Sequence, residues 1–280
     1  MPLPPIDERG DKEERGRVLV VGGSAELPGA IVLAGTAALR AGAGKLKLAT
    51  AAAVSAQVGV AVPEALVIGM RETRNGAFVA GGASRVTAEL GSVDALLLGP
   101  GMRESRSLQS FLRRVVGAIS AQLLVLDAAA LNVLRHEPNL LHPLEGRVVL
   151  TPHAGEMAGM LGGRRDEIER DPLAAAGRAA RSFRAVVMLK GATTFVATPQ
   201  GEAFRLDEGD VGLATSGSGD VLAGIVVGLA AQGADAARTA CWASFLHAAA
   251  GRALSSKQGR IGFLAREIAG ELPPILQRLR

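Results

Sequence analysis

The 280-residue chain has no tyrosine, one tryptophan and seven phenylalanines, so aromatics are only 3% of it. A surface that stacks single-stranded nucleic acid needs aromatic faces, and that class is excluded. There is one cysteine, Cys241, inside an apolar stretch. One thiol makes neither a disulfide framework nor a zinc site, so a buried structural cysteine in a reducing, cytoplasmic setting is expected. No apolar run approaches the roughly 20 residues needed to span a bilayer. The N-terminus is Pro-rich and then charged, without a signal core, and residues 1–16 are expected to form a flexible arm. Neither Gly-x-Gly-x-x-Gly nor a Walker A sequence occurs, which disfavours a classical Rossmann dehydrogenase and a P-loop enzyme. Formal charge is only +4 and arginine is scattered, so no basic patch marks a polyanion.

Hydrophobic residues make up 48% of the chain, ample for a sizeable core. Short apolar runs alternate with Ala-rich helical segments. Strands are expected at residues 17–21, 45–49, 65–68, 95–98, 123–127, 147–150 and 185–189. Most are continuous apolar runs, the mark of strands covered on both faces. Helices are expected at 29–41, 107–119, 155–161, 172–183, 220–231 and 236–254. Residues 194–198 and 203–206 flank Pro199-Gln200-Gly201 and read as an appended hairpin. The whole predicts one α/β domain over residues 17–280, with a mostly parallel sheet and helices on both faces.

Ligands of such sheets bind beyond the carboxyl ends of the strands. Five strand ends here run into short polar or Gly-rich segments: Gly22-Gly23-Ser24, Gly99-Pro100-Gly101, Asp127-Ala128-Ala129, Thr151-Pro152-His153 and Lys190-Gly191. The most informative segment is Ala214-Thr215-Ser216-Gly217-Ser218-Gly219-Asp220, which runs straight into an apolar helical stretch. Amides opening a helix lack partners and carry partial positive charge, and glycines let an anion approach. Asp220 beside a bound phosphate could take a proton from an attacking hydroxyl, or it could be a helix N-cap. Lysine is scarce, with five among 31 basic residues, so Lys190 at a strand end is a candidate phosphate or ribose contact. His153 could donate to a ligand, Glu156 sits where a helix start favours its charge, and Asp127 fits either a water-mediated Mg²⁺ contact or an N-cap. His136 and His142 carry no signal, and His247 reads as a core or interface histidine.

Together these segments, in this order, resemble the ADP-dependent NAD(P)H-hydrate dehydratase family of the ribokinase-like group. The resemblance runs over about residues 17 to 275. It rests on Val21-Gly22-Gly23-Ser24 with Pro28-Gly29-Ala30, Ala38–Gly44, Leu98–Met102, Leu126–Ala128 with Ala130–Asn132, Leu150–His153 with Gly155-Glu156, Lys190–Thr194 and Ala214–Gly224. It implies a ribokinase-like three-layer sandwich and repair of hydrated NADH or NADPH, with Mg²⁺ as cofactor and ADP or ATP as cosubstrate. By match, Ala30, Gly101, His153 and Asp220 contact the hydrate. Lys190, Gly191, Ala192, Thr193 and Thr194, with the Gly217, Ser218 and Gly219 loop, bind the adenine nucleotide, and Asp220 is catalytic. No residue is assigned as a metal ligand. A homotetramer is implied, and a separate epimerase would act upstream, since residues 1–16 leave no room for one. Three positions depart from the family pattern: Ala129 where Asp is common, Ser218 for Thr and Arg103 for Gly. The competing enzyme reading is a ribokinase-like kinase of a small thiazole or pyrimidine alcohol; a third is a non-catalytic nucleotide sensor.

Overall fold

The computed structural model describes residues 2–3 and 13–280; residues 1 and 4–12 of the expected arm lie outside the described residues. Among the described residues nine strands form one sheet: β1 Arg17–Val21, β2 Lys45–Ala51, β3 Ala65–Met70, β4 Ala95–Leu98, β5 Leu123–Leu126, β6 Val148–Leu150, β7 Val186–Leu189, β8 Thr194–Ala197 and β9 Ala203–Leu206. Their order is β3-β2-β1-β4-β5-β6-β7-β8-β9, parallel through β7, with β8 and β9 antiparallel. Every residue of β4, β5, β6 and β7 is buried, which is why these runs are continuously apolar. β2 and β3 run two residues beyond their expected ends, into segments whose Gly and Thr residues gave no apolar signal.

The helices are α1 Pro28–Arg40, α2 Ser55–Ala61, α3 Ala83–Thr87, α4 Arg106–Val116, α5 Ala129–Asn132, α6 Ala154–Leu161, α7 Arg165–Arg170, α8 Pro172–Phe183, α9 Ser218–Ala231, α10 Ala236–Gln258, α11 Ala265–Ile268 and α12 Leu272–Leu279. Alternate strand residues feed two cores, as a period of two requires. Leu19, Val21, Leu96, Leu98, Leu124 and Leu126 pack with α3 to α8. Val18, Val20, Ala95, Leu97, Leu123 and Val125 pack with α1, α2 and α9 to α12. The result is the expected three-layer sandwich.

α1 and α9 pack unusually closely. A Cβ at Gly224 would lie 2.2 Å from the Ala34 carbonyl oxygen, and one at Gly228 2.6 Å from that of Ala38. The Gly- and Ala-rich faces of these helices are therefore used inside the chain, where backbone contact requires small residues. This packing seats the N-terminus of α9 over the carboxyl ends of the central strands. The chain leaves β3 and returns to β4 beside β1, so the sheet has a topological switch point between β1 and β4.

Candidate active site

The site is assembled from the carboxyl ends of β1, β4, β5, β6 and β7 and from the α9 N-terminus. At the switch point, Gly22-Gly23 and Gly99-Pro100-Gly101 touch main chain to main chain. The Gly23 amide donates to the Pro100 carbonyl (2.7 Å) and Ser24 to Gly101 (3.0 Å). Gly101 has φ +65°, and a Cβ there would meet the Leu27 carbonyl at 2.7 Å and Ala30 Cβ at 2.9 Å. Ala30 and Gly101 are thus brought together, and only glycine fits at 101. The buried Ser24 Oγ beside them has no hydrogen-bond partner among the described residues. Arg103 forms an ion pair with Glu26, tying the two loops together, so its extra charge relative to the family pattern is matched by a carboxylate.

Asp127 directly follows β5 and is buried. Its Oδ1 accepts from Thr151 Oγ1 (2.7 Å) and from Lys190 Nζ (2.9 Å). The capping alternative for Asp127 is overturned: α5 is capped by Ala128 with no side-chain bond, because the carboxylate is turned to Lys190 instead. Lys190 Nζ also lies 3.7 Å from Glu156 Oε2. Burial opposes the charge on Lys190, but Asp127, Glu156 and Asp220 outweigh it and raise its pKa.

His153 is the N-cap of α6. Its Nδ1 accepts from the amides of Gly155 (3.0 Å) and Glu156 (3.1 Å), while Glu156 Oε2 accepts from the His153 amide (2.8 Å). This is a reciprocal capping box, with histidine in the place usual for serine or threonine. An accepting Nδ1 carries no proton, so the ring proton sits on Nε2. The ring is 60% exposed and can present that N–H to a ligand. The His153 and Lys190 main chains sit side by side as an isolated parallel bridge, with the Lys190 amide donating to Pro152 (2.8 Å).

Residues 191–193 form the tight turn from β7 into Thr194, the first residue of β8. Gly191 and Ala192 are exposed and Thr193 and Thr194 half-buried. Thr193 Oγ1 donates to Asp207 (2.7 Å). A Cβ on Gly209 would come within 2.3 Å of the Ala192 carbonyl, so residues 207–209 back this turn.

α9 begins at Ser218, capped by Gly217 at φ +86° without a side-chain bond. Asp220 is therefore the third residue of the helix and not its N-cap. The amides of Gly219 and Asp220 have no acceptor among the described residues. They form an open, electropositive nest at a helix start. Lys190 Nζ stands 3.6 Å from where a Gly219 Cβ would be, so the nest and the lysine share one space. Burial, and then the charge of Asp127, raise the Asp220 carboxyl from 3.8 to about 7; Lys190 lowers it and Glu156 raises it further. A carboxyl poised there can accept a proton near neutral pH. The Ser218 hydroxyl faces inward, 2.9 Å from His247 Nε2. Burial lowers His247 to about 4, so the imidazole is neutral at pH 7. His247 is part-buried and lies directly beneath the nest. Cys241 is half-buried, its thiol pushed up to about 11 by burial, as an inert structural cysteine should be.

Sequence reading did not link Lys190 to Asp127 or Glu156, nor Ser218 to His247. The His153-to-Glu156 spacing was a usable signal, since a carboxylate three residues after a cap marks a capping box. Two concavities, of about 540 and 490 Å³, lie at the opposite ends of the strands and touch none of these residues. No helix among the described residues is long and apolar enough to cross a membrane.

Comparison with known proteins gives the family and the fold. The sequence profile of the NAD(P)H-hydrate dehydratase family matches residues 18–274. An ADP-dependent (S)-NAD(P)H-hydrate dehydratase of Xanthomonas campestris is 49% identical over 270 residues, covering 96% of this chain and 91% of that protein. A bifunctional NAD(P)H-hydrate repair enzyme of Moorella thermoacetica is 38% identical over 99% of this chain, which spans 52% of that longer protein. Among solved structures, the ADP/ATP-dependent NAD(P)H-hydrate dehydratase of Bacillus subtilis, co-crystallised with ATP and Mg²⁺, superposes with TM-score 0.83 at 27% identity. That match covers 100% of this chain and 95% of the other. A hydroxyethylthiazole kinase of Pyrococcus horikoshii, at TM-score 0.67 and 15% identity, shares the fold.

Proposed function

The chain belongs to the NAD(P)H-hydrate dehydratase family, and from that premise we propose that it repairs hydrated nicotinamide cofactor. It converts the S form of NAD(P)H hydrate to NAD(P)H, with ADP going to AMP and phosphate. The observation that carries this reading is Asp220: a carboxyl raised to about 7 within the first turn of α9, beside open amides and Lys190.

Hydroxide is a poor leaving group and phosphate a good one. The C6 hydroxyl of the hydrate attacks the β-phosphorus of ADP, its proton passes to the Asp220 carboxylate, and AMP departs. The amides of Gly219 and Asp220 donate to the oxygens of the transferring group, where charge builds up. The C6–O bond then breaks, with the ring nitrogen supplying electrons and phosphate leaving. Loss of a proton from the adjacent ring carbon restores the dihydropyridine. His153 donates from Nε2 to the hydrate, and Ala30 and Gly101 leave room for it at the switch point. The 190–194 turn holds the nucleotide.

Magnesium is usually held by one or two carboxylates together with water and substrate phosphates. The residues fit that pattern: Asp127 Oδ1 is engaged, but no hydrogen bond reaches its Oδ2 among the described residues. Asp127 would hold the ion, which would neutralise phosphate charge.

Incubating the protein with the S hydrate, ADP and magnesium tests the reading. The expected result is dihydronicotinamide absorbance, with one AMP and one phosphate per turnover. A stable phosphorylated small alcohol from a thiazole or pyrimidine substrate, with no turnover of the hydrate, would support the kinase instead.

A further inference from the structure

One carboxylate oxygen touches both halves of the site. Glu156 Oε2 accepts from the His153 amide (2.8 Å), lies 3.7 Å from His153 Nε2, and lies 3.7 Å from Lys190 Nζ. His153 follows β6 and Lys190 follows β7, and their main chains are paired in an isolated parallel bridge just beyond the strands. Glu156 is only 16% exposed and Lys190 18%, so little water screens the pair. On its other side Lys190 is bonded to the buried Asp127. The ammonium that faces the α9 amides is therefore shared between two carboxylates before any phosphate arrives.

We propose that Glu156 is a positioning residue that couples the hydrate half-site to the nucleotide half-site. Through its bond to the His153 amide it holds the loop that presents Nε2–H. Through its charge it offsets part of the Lys190 field, so that Lys190 orients the phosphate without trapping it. This rests on the dehydratase reading for the naming of the two half-sites.

The two roles are separable by substitution. Glu156→Gln keeps an oxygen that can accept from the His153 amide, as glutamine does in capping boxes, but removes the charge. Glu156→Ala removes both. Two unit charges a few ångströms apart change binding about fivefold in water and about a thousandfold at the effective dielectric of a protein surface; across the greater separation from Glu156 past Lys190 to a bound phosphate, about a tenfold change is expected. ADP titration calorimetry, with EDTA and again with magnesium, should show ADP binding about tenfold tighter to both variants under both conditions. The KM for the hydrate should stay near wild type in Glu156→Gln and rise about tenfold in Glu156→Ala. Glutamine thus rescues one half-site and not the other, which a purely structural role would not produce.

Unchanged or weaker ADP binding by Glu156→Gln would overturn the proposal. So would weakening seen only with magnesium, which would make Glu156 a metal ligand. Equal hydrate KM values for the two variants would overturn the coupling to His153. Failure of the dehydratase reading is a different result, namely no AMP from wild type. The ADP arm does not depend on turnover and would still decide the charge role.

Discussion

Asp220→Asn should make the folded protein more stable while abolishing its activity. The Asp220 carboxyl titrates near 7 when folded, against 3.8 for an unperturbed carboxyl, chiefly because burial penalises its charge and Asp127 repels it. A raised acid binds its proton more tightly folded than unfolded. Between about pH 4 and pH 7 the unfolded chain therefore holds fewer protons, and stability falls as pH rises. Above about pH 7 the loss levels off at about 4 kcal/mol, taking 1.36 kcal/mol for each tenfold step. Partial exposure and the imperfect fit of an amide reduce this, and about 2 kcal/mol is a reasonable net gain for asparagine. That is about 4 °C in Tm for a chain of this size. The assay is thermal unfolding of wild type and Asp220→Asn from about pH 4 to pH 8.5. The gap should be near zero at the acid end, open through pH 5–7 and then stay constant. A variant less stable at pH 8, or a gap that does not change with pH, would refute the reasoning.

Loss of the base in the same variant should lower turnover by about 10²- to 10⁴-fold while leaving ADP binding intact; turnover within a few-fold of wild type would remove Asp220 from the chemistry. The wild-type profile of kcat/KM against pH should fall on the acid side through about pH 7, because the base must be ionised; a limb near pH 4 would contradict the raised carboxyl. His153→Asn keeps an N-cap acceptor and loses Nε2–H, so hydrate KM should rise about ten- to a hundredfold with Tm and ADP affinity unchanged. His153→Ala should give the same KM with a Tm about 2 °C lower; unaltered hydrate binding in both would leave His153 as a cap alone. Gly219→Val places a side chain against Lys190 and over the open amides, so ADP affinity measured by calorimetry should fall about tenfold or more, and unchanged affinity would move the phosphate site elsewhere.

The strands were legible because both faces of the sheet are covered, which writes β4 to β7 as unbroken apolar runs. The long helices were legible from their Ala- and Leu-rich stripes. α7 was not: its six residues are charged except for Ile168, which alone is buried. α3, α5 and α11 are too short for a period of 3.6 to register, and their positions are set by packing. Within the site, residue types and strand-end placement were readable, but contacts were not. Asp127 and Lys190 are 63 residues apart and meet only because β6 separates their strands in the sheet. Ser218 and His247 meet because α9 and α10 pack together. For Asp127 and Asp220 local sequence left capping open. The structure decides against it in both cases, since Lys190 claims one carboxylate and Gly217 takes the cap position before the other.

The proposed reaction has the hydrate hydroxyl itself attack ADP and leave as part of phosphate. It is tested most directly by placing an oxygen isotope label on the C6 hydroxyl of the S hydrate and weighing the products of one turnover. The mechanism built on Asp220 predicts that the label appears in inorganic phosphate, one labelled oxygen per molecule, with AMP unlabelled. Label released into water, with unlabelled phosphate, would mean that dehydration and ADP cleavage are separate reactions, and would contradict the account.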